Sequence, residues 1–328
     1  MNQNKASKLL PLVFVGLFFA LDIGFDSAFN PYIQTLVIYS CVNIILSVSL
    51  NLVNGFTGQF SIGHAGFMAA GAYMSAFLTM QFPGWMGDGF QGFQLLLHTI
   101  AGGCAAALAG YAVGLPSLRL KGDYLAIVTL GFGEIIRVLL LNIDAVGGAR
   151  GMYGITKQTT FFSAITWAYF TILLVSRLVK STHGRAFLSV REDEIAAEAM
   201  GIDTTKYKVK AFVISSFLAG VAGSLFAHYL SYLNPSTFGF MKSIDVVVMV
   251  VLGGMGSISG SVVAAILLTL LPEFLRGLQQ YTQIDFRMVI YSLVLIVLML
   301  TRPQGIFGSK EFSDIYRELK KKYAKRTA

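Results

Sequence analysis

The sequence predicts an all-α fold, a polytopic helical membrane bundle of about eight to ten spans containing a Gly-rich broken segment. Three observations carry that expectation. Of 328 residues, 55% are hydrophobic and only 13% charged, and the mean hydropathy is +0.67, whereas soluble domains carry about a quarter charged residues. The apolar residues come in long runs parted by short polar clusters, which suits repeated crossings of roughly 20 residues each. Small residues crowd several runs, as they do where helices approach closely in lipid.

Taken in order, the candidate spans are residues 8–25, 32–53, 60–80, 94–116, 123–143, 161–179 and 210–230, then a broken stretch at 244–275 and a last span at 286–301. Residues 1–301 are thus expected to form one transmembrane domain with an internal loop at 180–210, and 302–328 a basic tail. Lys5 and Lys8 precede LLPLVFVGLFFAL, a pattern shared with signal peptides. Asp26-Ser27-Ala28 is a poor cleavage site, so an uncleaved first span is expected. Cys41 and Cys104 lie in apolar runs without metal-ligand spacing and read as small buried hydrophobes.

The formal charge of +8 is concentrated at a few connections and in the tail, where Arg302, Lys310, Arg317, Lys320, Lys321, Lys322, Lys325 and Arg326 read as an anchor beside anionic lipid. No nucleic-acid partner is expected. With the N-terminus inside, the connection bearing Arg119 and Lys121 and the 180–210 loop fall inside, and the loop from Gln81 to Phe93, free of Lys and Arg, falls outside. A single crossing at 244–275 would leave the basic tail outside. GGMGSISG, Gly253 to Gly260, has four glycines in eight residues and breaks the helix. Two short crossings or a re-entrant hairpin would each restore an internal tail. Gly253, Gly254 and Gly256 then either line a path, because irregular backbone at membrane depth must be buried or face a cavity, or form a tight interhelical turn.

Tight helix contacts are expected at Gly63, Ala65, Gly66, Ala69, Ala70, Gly71 and Ala72, and again at Gly102, Gly103, Ala105, Ala106, Ala107, Ala109 and Gly110. Glycine-rich broken segments in both halves resemble the discontinuous helices of transporters. Ionisable groups inside spans are costly unless paired or hydrated. Glu134 and Arg137, at i,i+3, suit an ion pair or a gate. His64, beside Ser61 in the glycine-rich segment, suits packing or substrate contact. His228 and Asp245 are expected near outer ends, facing a receptor or water.

No catalytic constellation emerges. There is neither a Gly-x-x-x-x-Gly-Lys-Ser/Thr phosphate loop nor His-Glu-x-x-His, so no enzyme activity, cofactor or metal is expected, and ATP hydrolysis would have to come from partner subunits. The internal loop is more informative. In SVREDEIAAEAMG, Ser189 is expected as N-cap, Glu192, Asp193 and Glu194 favour the positive end of the helix dipole, and Gly201 supplies a stop. Ile195 with Ala199, and Ala196 with Met200, share one face, with Glu194 and Glu198 beside it. That short amphipathic helix suits either a groove on another protein or packing on its own bundle.

GRAFLSVREDEIAAEAMGI, followed by a Lys-rich lead into AFVISSFLAGVAGSLFAHY, resembles the branched-chain amino-acid ABC permeases of the Liv M type. NGFTGQFSIGHAGFMAAGAY near residue 60, VVLGGMGSISGSVVAAILL near 255 and RPQGIFG at Arg302 to Gly308 match as well, and together they cover most of the chain in the family's order. The resemblance implies a multi-pass permease subunit in the inner membrane with both termini cytoplasmic. It also implies a second related permease, two ATP-binding subunits and an extracytoplasmic amino-acid-binding protein. Leu, Ile and Val are the implied substrates, with urea, amides or other amino acids as alternatives and an ion-coupled carrier or channel as the rival class. In such importers a Glu-Ala-Ala, three residues, Gly motif forms the coupling helix that fits the ATPase. Counting back from Gly201 puts Ala196 and Ala197 on the alanines and Ile195 on the acidic position, with Glu194 one residue off. The implied contact core is Ala196, Ala197 and Gly201. Ser61, His64, Glu134, Arg137, Gly253, Gly254 and Gly256 are the candidate translocation-path residues.

Overall fold

A computed structural model describes residues 30–82, 91–117, 120, 122–282 and a few positions between 292 and 312. The expected span at 8–25 and most of that at 286–301 lie outside the described residues. Helix α1, Pro31–Asn51, is capped by the Asn30 side chain and continues as a π-helical turn, Leu52–Phe56. Then come α2 (His64–Gln81), α3 (Gln91–Ser117), α4 (Asp123–Asn142), α5 (Phe161–Val179), α6 (Thr182–Glu192), α7 (Glu194–Ala199), α8 (Thr204–Leu230), α9 (Phe240–Gly253) and α10 (Ile258–Thr282). Six of the described helical stretches are long and apolar enough to cross a membrane. The protein is a multi-pass helical membrane bundle. A two-residue ladder, Met152–Tyr153 on Tyr232–Leu233, ties the α4–α5 and α8–α9 connections together. Helix α8 starts six residues before the expected span because the Asp203 carboxylate caps it, accepting from Lys206 N at 3.0 Å.

The expected small-residue contacts are present: Gly63 and Gly66 meet α4 at Thr129 and Gly133, and the others bring α2, α3 and α8 together. A methyl group on Gly71 would stand 2.2 Å from the Gly220 Cα, one on Gly102 would stand 2.6 Å from the Gly71 carbonyl, and one on Gly223 would stand 2.0 Å from the Met68 carbonyl. Helices α2, α3 and α8 therefore touch backbone to backbone, which supplies the dense van der Waals packing that lipid cannot. At one end of this trio the Thr79 hydroxyl sits 2.7 Å from both His98 Nδ1 and His228 Nε2. His228 Nδ1 donates to the Ser224 carbonyl at 2.8 Å and the Thr79 hydroxyl is also within 3.0 Å of Ser75 O, so the three side chains form one hydrogen-bonded cluster anchored to the backbones of α2 and α8. His228 is fully buried. It lies in the last turn of α8, as expected, but is covered by α2 and α3 instead of facing a receptor or water.

Helix α1 is central and carries a polar stripe. Ser49 Oγ meets His64 Nε2 at 2.9 Å, and Ser215 Oγ donates to the Ser49 carbonyl at 2.6 Å. The glycine-rich break is a compact turn between α9 and α10. At 1.5 Å per residue, the 14 residues of α9 extend about 21 Å, short of the roughly 30 Å hydrocarbon core, whereas α10, with 25 residues, can span. The Asn51 amide holds the turn against α1: Nδ2 donates to Ser257 O and Ser261 Oγ, and Oδ1 accepts from Gly256 N, all at 2.9 Å. Gly254 (φ 110°) and Gly256 (φ 90°) adopt backbone conformations that side chains resist. From RPQGIFG, Ile306 N donates to Leu252 O at 2.8 Å and Phe307 N to Gly253 O at 3.2 Å, which satisfies carbonyls at the end of α9.

Replacing Asn51 with Leu keeps the volume and leaves the Gly256 N–H and Ser257 carbonyl without that partner. Each unpaired group costs about 1–3 kcal/mol. Asn51→Leu is therefore expected to lower the melting temperature of the detergent-purified protein and to speed its proteolysis. Unchanged values would contradict the hub role.

Candidate coupling site

The loop at 180–210 is two helices with a corner between them. Helix α6 begins at Ser181, whose hydroxyl accepts from Gly184 N, and runs through Ser189. Ser189 is therefore not the N-cap expected; its Oγ donates back to the Arg185 carbonyl at 3.0 Å. The helix stops at Asp193, which adopts an extended conformation, and that same residue caps α7. Its carboxylate accepts from Ile195 N at 2.9 Å and Ala196 N at 3.0 Å. Glu192 consequently sits at a C-terminus rather than at the favourable N-terminus, and the neighbouring Arg191 Nε donates to it at 3.0 Å. Gly201 (φ 81°) closes α7 as the sequence implies: its N–H donates to Glu198 O, and Ile202 N–H donates to Ala197 O, a Schellman arrangement.

Side chains anchor α7 to the bundle. Glu194 Oε1 stands 2.6 Å from Lys208 Nζ, which is 9% exposed, and Thr204 Oγ1 donates to Glu198 Oε1 at 2.6 Å. The acidic residue one place off the motif is thus spent inward. Ala197 also faces inward, at 4% exposure, which differs from its expected place in an outward contact core. The outward face is Ile195, 75% exposed, Met200, 83% exposed, and Ala196 and Ala199 between them. Two large apolar side chains held rigidly in the open on a polar loop form a surface suited to a partner.

Arg191 joins this corner to both irregular segments, a role that sequence reading missed. Its Nη1 donates to the Gly55 carbonyl at 3.1 Å, inside the π-helical turn. A methyl group on Gly256 would lie 3.0 Å from the same Nη1, and one on Gly58 would lie 3.0 Å from Arg191 Cγ. Gly55 and Gly256 meet directly, since a methyl on the former would stand 2.3 Å from the backbone nitrogen of the latter. Glu311 completes the side: it accepts from Ile258 N at 2.8 Å, Ser259 N at 3.1 Å and Ser259 Oγ at 2.6 Å, at the positive end of α10. Gly122, the loop and Glu311 therefore share one side of the bundle.

The candidate path residues divide into three places. Gly253, Gly254 and Gly256 belong to the capped turn just described. Ser61 and His64 are buried; Ser61 N donates to Asn54 Oδ1 at 3.1 Å. Glu134 and Arg137 pair at 2.7 Å while half-exposed on α4. Glu134 also borders a small crevice where Gly63, Gly66, Phe240 and Ser243 bring the starts of α2 and α9 together. Asp245 is exposed, but it lines a cavity of the bundle.

The family model described as branched-chain amino acid transport system, permease component, matches residues 32–299. The chain is 38% identical over 300 residues to the high-affinity branched-chain amino acid transport system permease protein LivM of Escherichia coli, covering 81% of this chain and 67% of that protein. It is 37% identical to LivM of Salmonella typhimurium over the same shares. It is 24% identical over 291 residues to the LivH permease protein of Escherichia coli, covering 83% of this chain and 92% of that one. No solved structure matches.

Removing the Arg191 guanidinium should loosen both irregular segments at once. In Arg191→Ala, amide hydrogen exchange is expected to rise about tenfold at residues 52–58 and 254–257, the effect of losing one charged hydrogen bond of about 1.5 kcal/mol. Exchange in α3 should stay as it was.

Proposed function

Because the chain belongs to the branched-chain amino acid transport permease family, we propose that it is the permease subunit of an ATP-driven importer. Its substrates are branched-chain amino acids, Leu, Ile and Val, and it works in the cytoplasmic (inner) membrane. A second, related permease completes the path, one of two ATP-binding subunits docks on α7, and an extracytoplasmic binding protein delivers the amino acid. The loop side, with the basic tail, is cytoplasmic. The observation that carries this reading is α7 itself: a capped helix, braced by Glu194 and Lys208, that holds Ile195 and Met200 outward. Insertion of such a face into a groove is a standard mode of helix recognition.

The mechanism follows from what α7 is tied to. When the ATPases close on ATP, the docked helix moves with them, and Asp193 carries the displacement into α6. Arg191 passes it to the Gly55 turn and the Gly256 turn together. Those are segments where backbone hydrogen bonding is already irregular, so they can shift without breaking a regular helix. The tightly packed trio of α2, α3 and α8 resists deformation and moves as a unit. Transport is then a two-state equilibrium biased by nucleotide on one side and by the loaded binding protein on the other.

Ile195→Asp and Met200→Asp place a carboxylate in the groove without altering the inward anchors. Each is expected to abolish copurification of the ATPases and amino-acid uptake while the permease pair remains assembled. Retention of the ATPases by both variants would overturn the docking role.

A further inference from the structure

Between α1, α8, α9 and α10 lies a cavity of about 510 Å³, within the roughly 300–1,000 Å³ common to small-ligand sites. Its depth follows from α1. At 1.5 Å per residue, Asn43 lies about 18 Å from Pro31 and about 12 Å from Asn51, so the cavity sits near the middle of the bundle. Val42, Phe226, Met249 and Leu268 form an apolar wall, and Lys242 and Asp245, one turn apart on α9, also line the cavity. Charged groups at such depth are costly and rare. Two of opposite sign bordering one cavity call for a reason.

Hydrogen-bond accounting supplies it. The Lys242 ammonium has three donors, and among the described residues only Asn43 Oδ1, at 3.1 Å, accepts from it. Asn43 is locked in that orientation, because its Nδ2 donates to Thr269 Oγ1 at 2.9 Å and that hydroxyl donates to Ala265 O at 2.6 Å. Two ammonium donors are left over among the described residues. Asp245 has no hydrogen bond and no ion pair within 4.0 Å among the described residues, so the two charges share a cavity without closing on each other. Pro272 lines the same space and, lacking an N–H, frees the Leu268 carbonyl from its helical bond.

We propose that this cavity binds the zwitterionic head of a free amino acid. The Lys242 ammonium takes the α-carboxylate, the Asp245 carboxylate takes the α-ammonium, and the apolar wall receives an aliphatic side chain. The site is the place inside the importer where its substrate pauses, so the proposal rests on the reading above and specifies it. A phosphatidylethanolamine headgroup has the same pairing of ammonium and anion, and the test separates the two.

The probe is L-leucine and the reporter is Met249→Cys, with Cys41 and Cys104 changed to Ala, in the complete transporter reconstituted with its ATPases and binding protein. L-Leucine should slow alkylation of the reporter cysteine. 4-Methylpentanoate, which lacks the ammonium, and 3-methylbutylamine, which lacks the carboxylate, should each protect less. Adding Lys242→Met or Asp245→Asn should remove the protection and lower kcat/KM for leucine uptake by about 10- to 100-fold, the size of one charged hydrogen bond. A merely structural role would not set that order of protection. Equal protection by the uncharged 4-methylpentanamide, or leucine uptake with no protection, overturns the site. Blocking of the reporter by phosphatidylethanolamine, with no effect of leucine in liposomes of phosphatidylglycerol alone, also overturns it and assigns the cavity to lipid. If the unmodified transporter takes up no branched-chain amino acid, the substrate reading fails. Protection by another zwitterionic amino acid would then still uphold the site, and protection by none would end it.

Discussion

Backbone polar groups that leave a regular helix inside a membrane must find partners within the protein, and here the Asn51 side chain provides them. Its amide spans from α1 to the turn between α9 and α10, pairing Gly256 N, Ser257 O and Ser261 Oγ. The next turn of α1 is itself irregular, and Gly55 there touches Gly256. One side chain therefore stabilises the meeting point of two broken segments. That meeting point is also where Arg191 reaches in from the loop.

The rest of the bundle divides by stiffness around that point. Helices α2, α3 and α8 meet backbone to backbone at Gly71, Gly102, Gly220 and Gly223, so they transmit force and absorb little. Their far end is bound by the His98, Thr79 and His228 chain of hydrogen bonds. Helices α9 and α1 have discontinuities whose hydrogen bonds run to side chains, and side-chain partners can be exchanged at lower cost than a helical ladder. Motion is thus directed to the glycine turns and away from the packed trio. The same discontinuity lets α9 be short, and its first two turns carry Lys242 and Asp245 to the cavity beside Asn43.

Much of this was legible in the chain. The α5 boundaries, 161 to 179, follow from an apolar run with polar ends, and the small-residue runs announce close contacts because only small side chains permit them. Gly201 as a helix stop needs only local geometry. Ser189 was misjudged because serine caps a helix only where a helix begins, and the helix from Ser181 had already begun. Ala197 was assigned to the contact core by counting back from Gly201 along the motif, which says nothing of the direction its side chain takes. Its true direction is set by Glu194 reaching Lys208, fourteen residues on. His228 is the end residue it looked like, and no periodicity of α8 reveals that Thr79 links it to His98.

The sequence by itself determined that this chain crosses a membrane many times, where its helices pack closely, and that a short apolar-faced helix interrupts it. These depend on composition and on residues within a turn or two of one another. Tertiary structure alone decided which face of that helix is free, that Arg191 touches Gly55 across 136 positions, and that Lys242 and Asp245 border one cavity with Asn43. Such facts depend on how separate helices are rotated and stacked against one another, which many distant contacts settle jointly and no local pattern records.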